Sequence, residues 1–177
     1  MAAAAAALAL AAAGCEGQRQ RWAAERAVRA YDEALAHAYR MSDASRLKDV
    51  AGEKELGRVQ VLIDLKRSSA LVLESRVESL AVTDVRAVGP DGLVVKTRER
   101  WRYHDRPTRP GRPPGPVFVA EMEMEWELVR DRGTWRIEKG RTLSSTYLEP
   151  KGFVPGESQK RGHEAADGGN GRGGPAR

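Results

Sequence analysis

The stretch VFVAEMEMEWELV, residues 117–129, places Glu121, Glu123, Glu125 and Glu127 at every second position, with Met122, Met124 and Trp126 between them. Successive side chains of a strand point to opposite faces, so this alternation reads as one strand with an acidic face and an apolar face. The preceding stretch LVVKTRERWRYH, residues 93–104, alternates in the same way. Val94, Lys96, Arg98, Arg100 and Arg102 share one face, and Leu93, Val95, Thr97, Glu99, Trp101 and Tyr103 share the other. Between them lies DRPTRPGRPPGP, residues 105–116, whose prolines bar it from a central ladder. If the two strands pair across this loop with their apolar faces together, the basic row must lie beside the acidic row. Carboxylates on such a row stand about 6.8 Å apart at the backbone, from ~3.4 Å per residue, which suits a ladder of arginine partners better than convergence on one ion. No His or Cys stands among them. The row therefore reads as the wet, charge-matched face of a hairpin, and neither a metal nor a cofactor is expected.

The neighbouring segments extend the same pattern. Asp131-Arg132-Gly133 makes a tight turn, and TWRIEKGRTLSSTYL, residues 134–148, supplies a further strand in which Gly140 is expected to mark a bulge. Upstream, LVLESRVESLAVTDVRAV, residues 71–88, is long enough for one strand to bend or bulge, and GPDG, residues 89–92, is turn chemistry. Before residue 70 the period changes from two to three and four. Residues 22–41 bring Ala27, Val28, Tyr31, Ala34, Leu35 and Ala38 to one side, with His37 on the wet side. SDAS, residues 42–45, breaks that helix and can cap a short one carrying Leu47 and Val50. Residues 55–67 give another helix, with Leu56, Val59, Leu62 and Ile63 facing inward. Helices first and four strands after predict an α+β fold, with the helices packed on one face of an antiparallel meander.

Length and charge bound the function. A chain of 177 residues with 41% apolar and 31% charged residues suits one globular domain. The formal charge of +5 is spread along the chain with no block of like charges, so nucleic acid is not the expected partner. The ends differ from the middle. Residues 1–14 open with an uncharged alanine-rich run, too short to span a bilayer but the length of a signal-peptide core. At its end, Ala12-Ala13-Gly14-Cys15 sets small residues before the only cysteine. This resembles a bacterial lipobox, which implies a signal peptide over 1–14, diacylation of the Cys15 thiol, a linker over 15–21, and a cell-envelope location facing the periplasm or exterior. Export with cleavage after Ala13, or an alanine-rich start without a targeting role, are the other readings. Two or three acyl chains at about 0.8 kcal/mol per buried methylene hold a small domain on a membrane where one would not. Residues 156–177 lack Leu, Ile, Val and aromatic residues and are rich in glycine, so disorder is expected there, with His163 solvated.

A site, if there is one, lies on the apolar face. Glu99 alternates onto the side of Trp101 and Tyr103 and, across the pair, of Met122, Met124 and Trp126. A carboxyl among aromatics has its ionised form disfavoured, which is how general acids and bases are tuned. Equally, Glu99 can hydrogen-bond Tyr31, Tyr39 or a helix end, or sit at the rim in water. His104 and Asp105 are placed to close the pocket mouth. No nucleophile elbow, phosphate loop or dinucleotide fingerprint is present.

AVRAYDEALAHAYRMSDASRLKDV, then VVKTRERWRYHD, a loop, EMEMEWELVRDRGTWRI and a last strand together resemble the NTF2-like cone. Within it they are most similar to the IMS-type domain found at the C-terminus of plastid-division accessory proteins and in related bacterial proteins. Glu99 within the second strand and Gly133-x-Trp135-x-Ile137 carry the likeness, which covers about residues 23–150. The resemblance implies a curved sheet wrapped on helices over residues 22–155, with a concavity lined by Tyr31, Glu99, Trp101, Tyr103, Met122, Met124, Trp126 and Trp135. The expected function is non-enzymatic: a lipid-anchored domain that binds a protein segment or envelope component in that concavity. The alternative is a small-molecule binder or ketosteroid-isomerase-like enzyme using Glu99.

Overall fold

A computed structural model describes the backbone of residues 2–149 and the side chains of residues 17–148. The expected tail over 156–177 and the Cys15 side chain lie outside what is described.

The first helix, α1, runs Ala2–Met41. Its core stripe is Ala24, Val28, Tyr31, Leu35 and Ala38, each no more than 8% exposed and spaced four and three residues apart. Residues 15–21, expected as a linker, are helical and continuous with it: the segment CEGQRQR has no proline, its Glu, Gln and Arg residues have high helix propensity, and its one glycine, Gly17, is tolerated within the longer helix. His37, expected on the wet side, is half-buried. Ser42 takes a left-handed φ of 53° at the end of α1. The short helix that follows is a 3₁₀ segment, Ser45–Asp49, with Leu47 alone driven fully inward. Asp43 accepts hydrogen bonds from the backbone N–H of Ser45 at 2.9 Å and its hydroxyl at 3.0 Å. The second α-helix, α2, spans Glu53–Ser68 and buries Glu55, Val59 and Ile63 at four-residue spacing. No helix among the described residues is long and apolar enough to cross a membrane.

Four strands follow: β1 Leu71–Ala87, β2 Gly92–Pro107, β3 Phe118–Asp131 and β4 Thr134–Glu149. They form one open antiparallel sheet in the order β1-β2-β3-β4, and the helices cover one face of it. The fold is α+β, as the pattern of periods predicts. The bend expected in β1 is two register shifts, at Val77/Ser79 and Val82/Asp84. Residues 50–52 reach β4 as a short parallel bridge: Ile137 N–H donates to Val50 O, and Gly52 N–H to Ile137 O, both at 2.8 Å.

The register of the central hairpin settles the charged rows. Lys96 stands opposite Glu125, Arg98 opposite Glu123 and Arg100 opposite Glu121. Arg98 lies 3.2 Å from Glu123, and Arg100 3.8 Å from Glu121 and 3.0 Å from Glu78 of β1. On the far side Arg141 of β4 reaches Glu125 at 2.6 Å and Lys139 reaches Glu127 at 3.9 Å. The ladder crosses all four strands. Most of its members are a third or more exposed, so each pair contributes at most about 1 kcal/mol. The acidic row holds register, and among the described residues no group of three or more His, Cys, Asp or Glu could hold a metal.

One expectation about β4 is corrected. Gly140 is not itself the bulge: it pairs in register with Trp126, and the register shifts lie on either side of it. A Cβ at Gly140 would stand 2.4 Å from the Trp126 ring, so the glycine is there to let that indole lie against the strand.

Candidate functional site

Glu99 is fully enclosed between sheet and helices, 1% exposed. Its Oε1 accepts from Thr97 Oγ1 at 2.5 Å and from Trp126 Nε1 at 3.1 Å, and its Oε2 accepts from Trp101 Nε1 at 2.8 Å. The Trp126 N–H is shared, donating also to Thr97 Oγ1 at 2.9 Å. Two-residue alternation on β2 brings Thr97, Glu99 and Trp101 to one face, and Trp126 arrives from β3. Burial pushes the Glu99 carboxyl above its usual range, against the pull of the Thr97, Trp101 and Trp126 donors. Both of its oxygens are committed.

Tyr31 is elsewhere than expected. It sits beneath Trp126, edge to face at 5.3 Å, and its hydroxyl donates to Glu55 of α2 rather than to Glu99. Glu55 also receives the Arg58 guanidinium, with Nε at 3.0 Å and 3.1 Å from its two oxygens, and the Gly140 N–H at 3.4 Å. Burial by itself would raise the Glu55 carboxyl, but hydrogen bonds from Arg58 and Tyr31 and the Arg58 charge leave it below its usual range. Burial, then the Glu55 charge and hydrogen bond, raise the Tyr31 phenol above its ordinary value, with the Arg58 charge opposing. The Arg58 side chain is 53% exposed and Glu55 2%, so this bridge runs from the core to solvent.

Over these two networks lies a half-open cavity of about 230 Å³. Its apolar walls include Leu35, Tyr39, Leu73, Trp101, Tyr103, Met122, Met124 and Trp126; Glu99, Ser75 and Thr142 add polar atoms, and Arg58 stands at one side. Thr142 donates to the Met124 sulfur at 3.3 Å, and Tyr103 stacks on Phe118 at 5.6 Å. Six expected lining residues meet here: Glu99, Trp101, Tyr103, Met122, Met124 and Trp126. Tyr31 is under the floor. Trp135 is corrected to the other end of the sheet, where it lies half-buried beneath the Arg130 guanidinium at 5.8 Å. Of the two residues expected at the mouth, neither lines the cavity: Asp105 is bound by Lys66 at 2.6 Å, and His104 alternates onto the opposite face of β2.

Sequence reasoning passed over Asp32, Glu55, Arg58 and Ser75. Asp32 is 1% exposed, and neither of its carboxylate oxygens has a hydrogen-bond partner; the Ser75 hydroxyl is likewise unpartnered. Burial, and then the Glu99 charge, raise Asp32 well above the carboxylate range, with Arg29 opposing. A signal was available. Asp32 follows Val28 by four and precedes Leu35 by three, which sets it on the apolar stripe of α1, and Glu55 precedes Val59 by four on that of α2.

No family model matches the chain, and no curated protein matches it. Among solved structures it is similar to one titled "Crystal structure of intermembrane space region of chloroplast protein ARC6", with 16% identity and a TM-score of 0.62, over 70% of this chain and 96% of that one. A likeness at that identity establishes the fold, and it agrees with the IMS-type branch of NTF2-like architecture.

Proposed function

We propose that this chain is a lipid-anchored, extracytoplasmic protein that works by binding rather than by catalysis, receiving an apolar segment of a protein partner or an envelope component in the cavity between sheet and helices. The observation that carries this reading is the state of Glu99. An acid–base residue needs an oxygen within reach of substrate, and here both oxygens are held by Thr97, Trp101 and Trp126. No tyrosine pairs with Glu99 to act as a second donor; Tyr31 is bound to Glu55 instead.

The size of the cavity supports the same reading. At about 230 Å³ it falls below the roughly 300 to 1,000 Å³ of small-molecule sites and suits one or two inserted apolar side chains. Met122 and Met124 give walls that adapt to such a guest. The charge on Arg58 is met by Glu55, so the cavity offers shape and apolar surface more than a net charge. The anchor rests on Ala12-Ala13-Gly14-Cys15. The solved region similar in fold belongs to an intermembrane space, a membrane-bounded compartment, which suits a domain displayed beside a membrane.

Two measurements test the proposal. Intact mass of the protein from a bacterial host that processes lipoproteins should show loss of residues 1–14 and a diacylglyceryl addition at Cys15; an unmodified Cys15 in the membrane fraction refutes the anchor. For the cavity, Leu73→Trp should abolish capture of the envelope partner bound by the parent, and Glu99→Gln should leave it intact. Retention of the partner by Leu73→Trp, or turnover of a small molecule that Glu99→Gln abolishes, refutes the binding reading.

A further inference from the structure

One end of the molecule gathers features that the cavity does not use. Residues 19–23 of α1, the β1–β2 turn and the strand ends beside the β3–β4 turn meet there around a second cavity of about 330 Å³, lined in part by Arg19, Ala23, Pro90, Arg130 and Trp135. The two turns are tied by the Arg130 N–H, which donates to Asp91 O at 2.8 Å. On the outer side of α1, Trp22 is 66% exposed, with Arg19 three residues before it and Arg26 four after, so all three share one helix surface. Val88, 49% exposed, stands on the β1–β2 turn.

The charge at this end is lopsided. Glu25 is engaged by Arg29 at 2.8 Å and Asp131 by Arg136 at 2.9 Å, and among the described residues of the two turns Asp91 is an acid with no ion pair. Arg19, Arg26 and Arg132 have no ion-pair partner among the described residues, and the Arg130 guanidinium lies over Trp135. Exposed tryptophan flanked by arginines on an amphipathic surface is the composition that sits at a lipid–water interface, with the ring among the headgroups and the cations on phosphates. This end is also where α1 comes from Cys15.

We propose that this surface, Arg19, Trp22, Arg26, Val88, Arg130 and Arg132, docks the domain on an anionic phospholipid membrane, with a headgroup phosphate held between Arg19 and Arg130. The inference rests on the lipid-anchor reading above and adds an orientation to it. The end bearing the two turns faces the bilayer, and the α1 helix rises from it.

The test uses the full chain carrying Cys15→Ser, so that acylation plays no part, with vesicles of phosphatidylcholine alone or mixed with phosphatidylglycerol. Residues 1–14 are present in every variant compared, so their contribution cancels between the variants. Preference for the anionic vesicles is expected on the order of tenfold or more, lost at about 0.5 M salt. Reversing Arg19, Arg26, Arg130 and Arg132 to glutamate should erase the preference, whereas reversing Arg40, Arg46, Arg109 and Arg112, an equal change in net charge elsewhere, should retain most of it. Trp22→Phe should remove most of the fluorescence quenching by brominated lipid, an arm that does not depend on the quadruple variant folding. Equal binding to both vesicles, equal loss by the two quadruple variants, or quenching that survives Trp22→Phe overturns the proposal. Acylation of Cys15 is read separately by mass, so either reading can fail while the other stands.

Discussion

Replacing Asp32 by asparagine should stabilise the protein, and by an amount that grows with pH. The carboxyl sits 1% exposed on the core side of α1 with no hydrogen-bond donor to either oxygen. Burial and the Glu99 charge raise its pKa well above 3.8. Between the unfolded and folded pKa values the native state holds a proton that the unfolded chain has released. Stability therefore falls as pH rises through that window, by up to about 1.4 kcal/mol per pH unit for each such group. Glu99 is shifted in the same direction and adds its own loss above 4.5. Glu55 is shifted down, so its contribution is present above 4.5 and is lost on acidification. A series from about pH 5.5 to 8.5 thus isolates the raised pair. Asparagine keeps the volume and cannot ionise. It still leaves polar atoms unpartnered, at about 1 to 3 kcal/mol, but avoids the larger cost of an unpaired buried charge. The gain should grow across the series, by up to about 1.4 kcal/mol for each pH unit over which native Asp32 keeps its proton, and each kcal/mol is worth roughly 2 to 4 °C in Tm. Thermal and urea unfolding at each pH would measure it. Parallel pH–stability curves for the parent and Asp32→Asn would refute the reasoning, as would a loss of stability at every pH.

Other substitutions separate the two buried networks. Glu99→Ala strands the Trp101 N–H and the Thr97 hydroxyl, leaves the Trp126 N–H with Thr97 alone, and should cost about 3 to 5 kcal/mol, against about 1 to 2 for Glu99→Gln; equal losses in urea unfolding would mean that the donors find other partners. Gly140→Ala should cost about 2 kcal/mol or more and shift Trp126 emission, since its Cβ would stand 2.4 Å from the ring; an unchanged Tm would deny the close approach. Tyr31→Phe should cost about 1 to 2 kcal/mol near neutrality, and the deficit should shrink as pH falls below about 4.5, because the Glu55 ionisation it supports is then lost in both proteins. Glu123→Gln on the outer ladder should change stability by less than about 1 kcal/mol, and by less still in high salt.

The sheet was legible because alternation in its central hairpin assigns each side chain to a face. Lys96, Arg98 and Arg100 fall beside the acidic row, and Val95, Thr97, Trp101, Met124 and Trp126 share the buried side, as observed; the Pro-rich loop leaves the exact partners open, such as Lys96 with Glu125, because a slip of two residues keeps every face. The cavity wall followed from the same alternation. What was not legible crosses between elements far apart in sequence. The pairing of Tyr31 with Glu55, and of Gly140 with Trp126, depends on how α1, α2 and β4 come to rest on the sheet, and no local period encodes that. Trp135 shows the limit plainly. Its alternation on β4 puts it on the helix side of the sheet, but its place near the turn carries it to the end opposite the cavity, beside Arg130. Glu99 was found by its face, and its partners were not, because the indoles that hold it looked like ligand-binding walls rather than donors.

That dual use of the tryptophans bears on what the cavity can accept. Trp126 is fixed three ways: its N–H on Thr97 and Glu99, its ring edge-on to Tyr31, and its back against Gly140. Trp101 is fixed by Glu99. Neither indole can swing aside without leaving a buried carboxyl short of donors, which costs more than the contact of one apolar guest would return. Adaptation must therefore come from Leu73, Met122 and Met124, which line the same cavity and where no hydrogen bond except that of Thr142 to the Met124 sulfur resists a change of rotamer. A guest is thus selected by fit against two rigid indoles and accommodated by the flexible side chains beside them. Substitutions that stiffen the methionine side, such as Met122→Ile, should narrow the range of segments bound without touching the fold's buried polar networks.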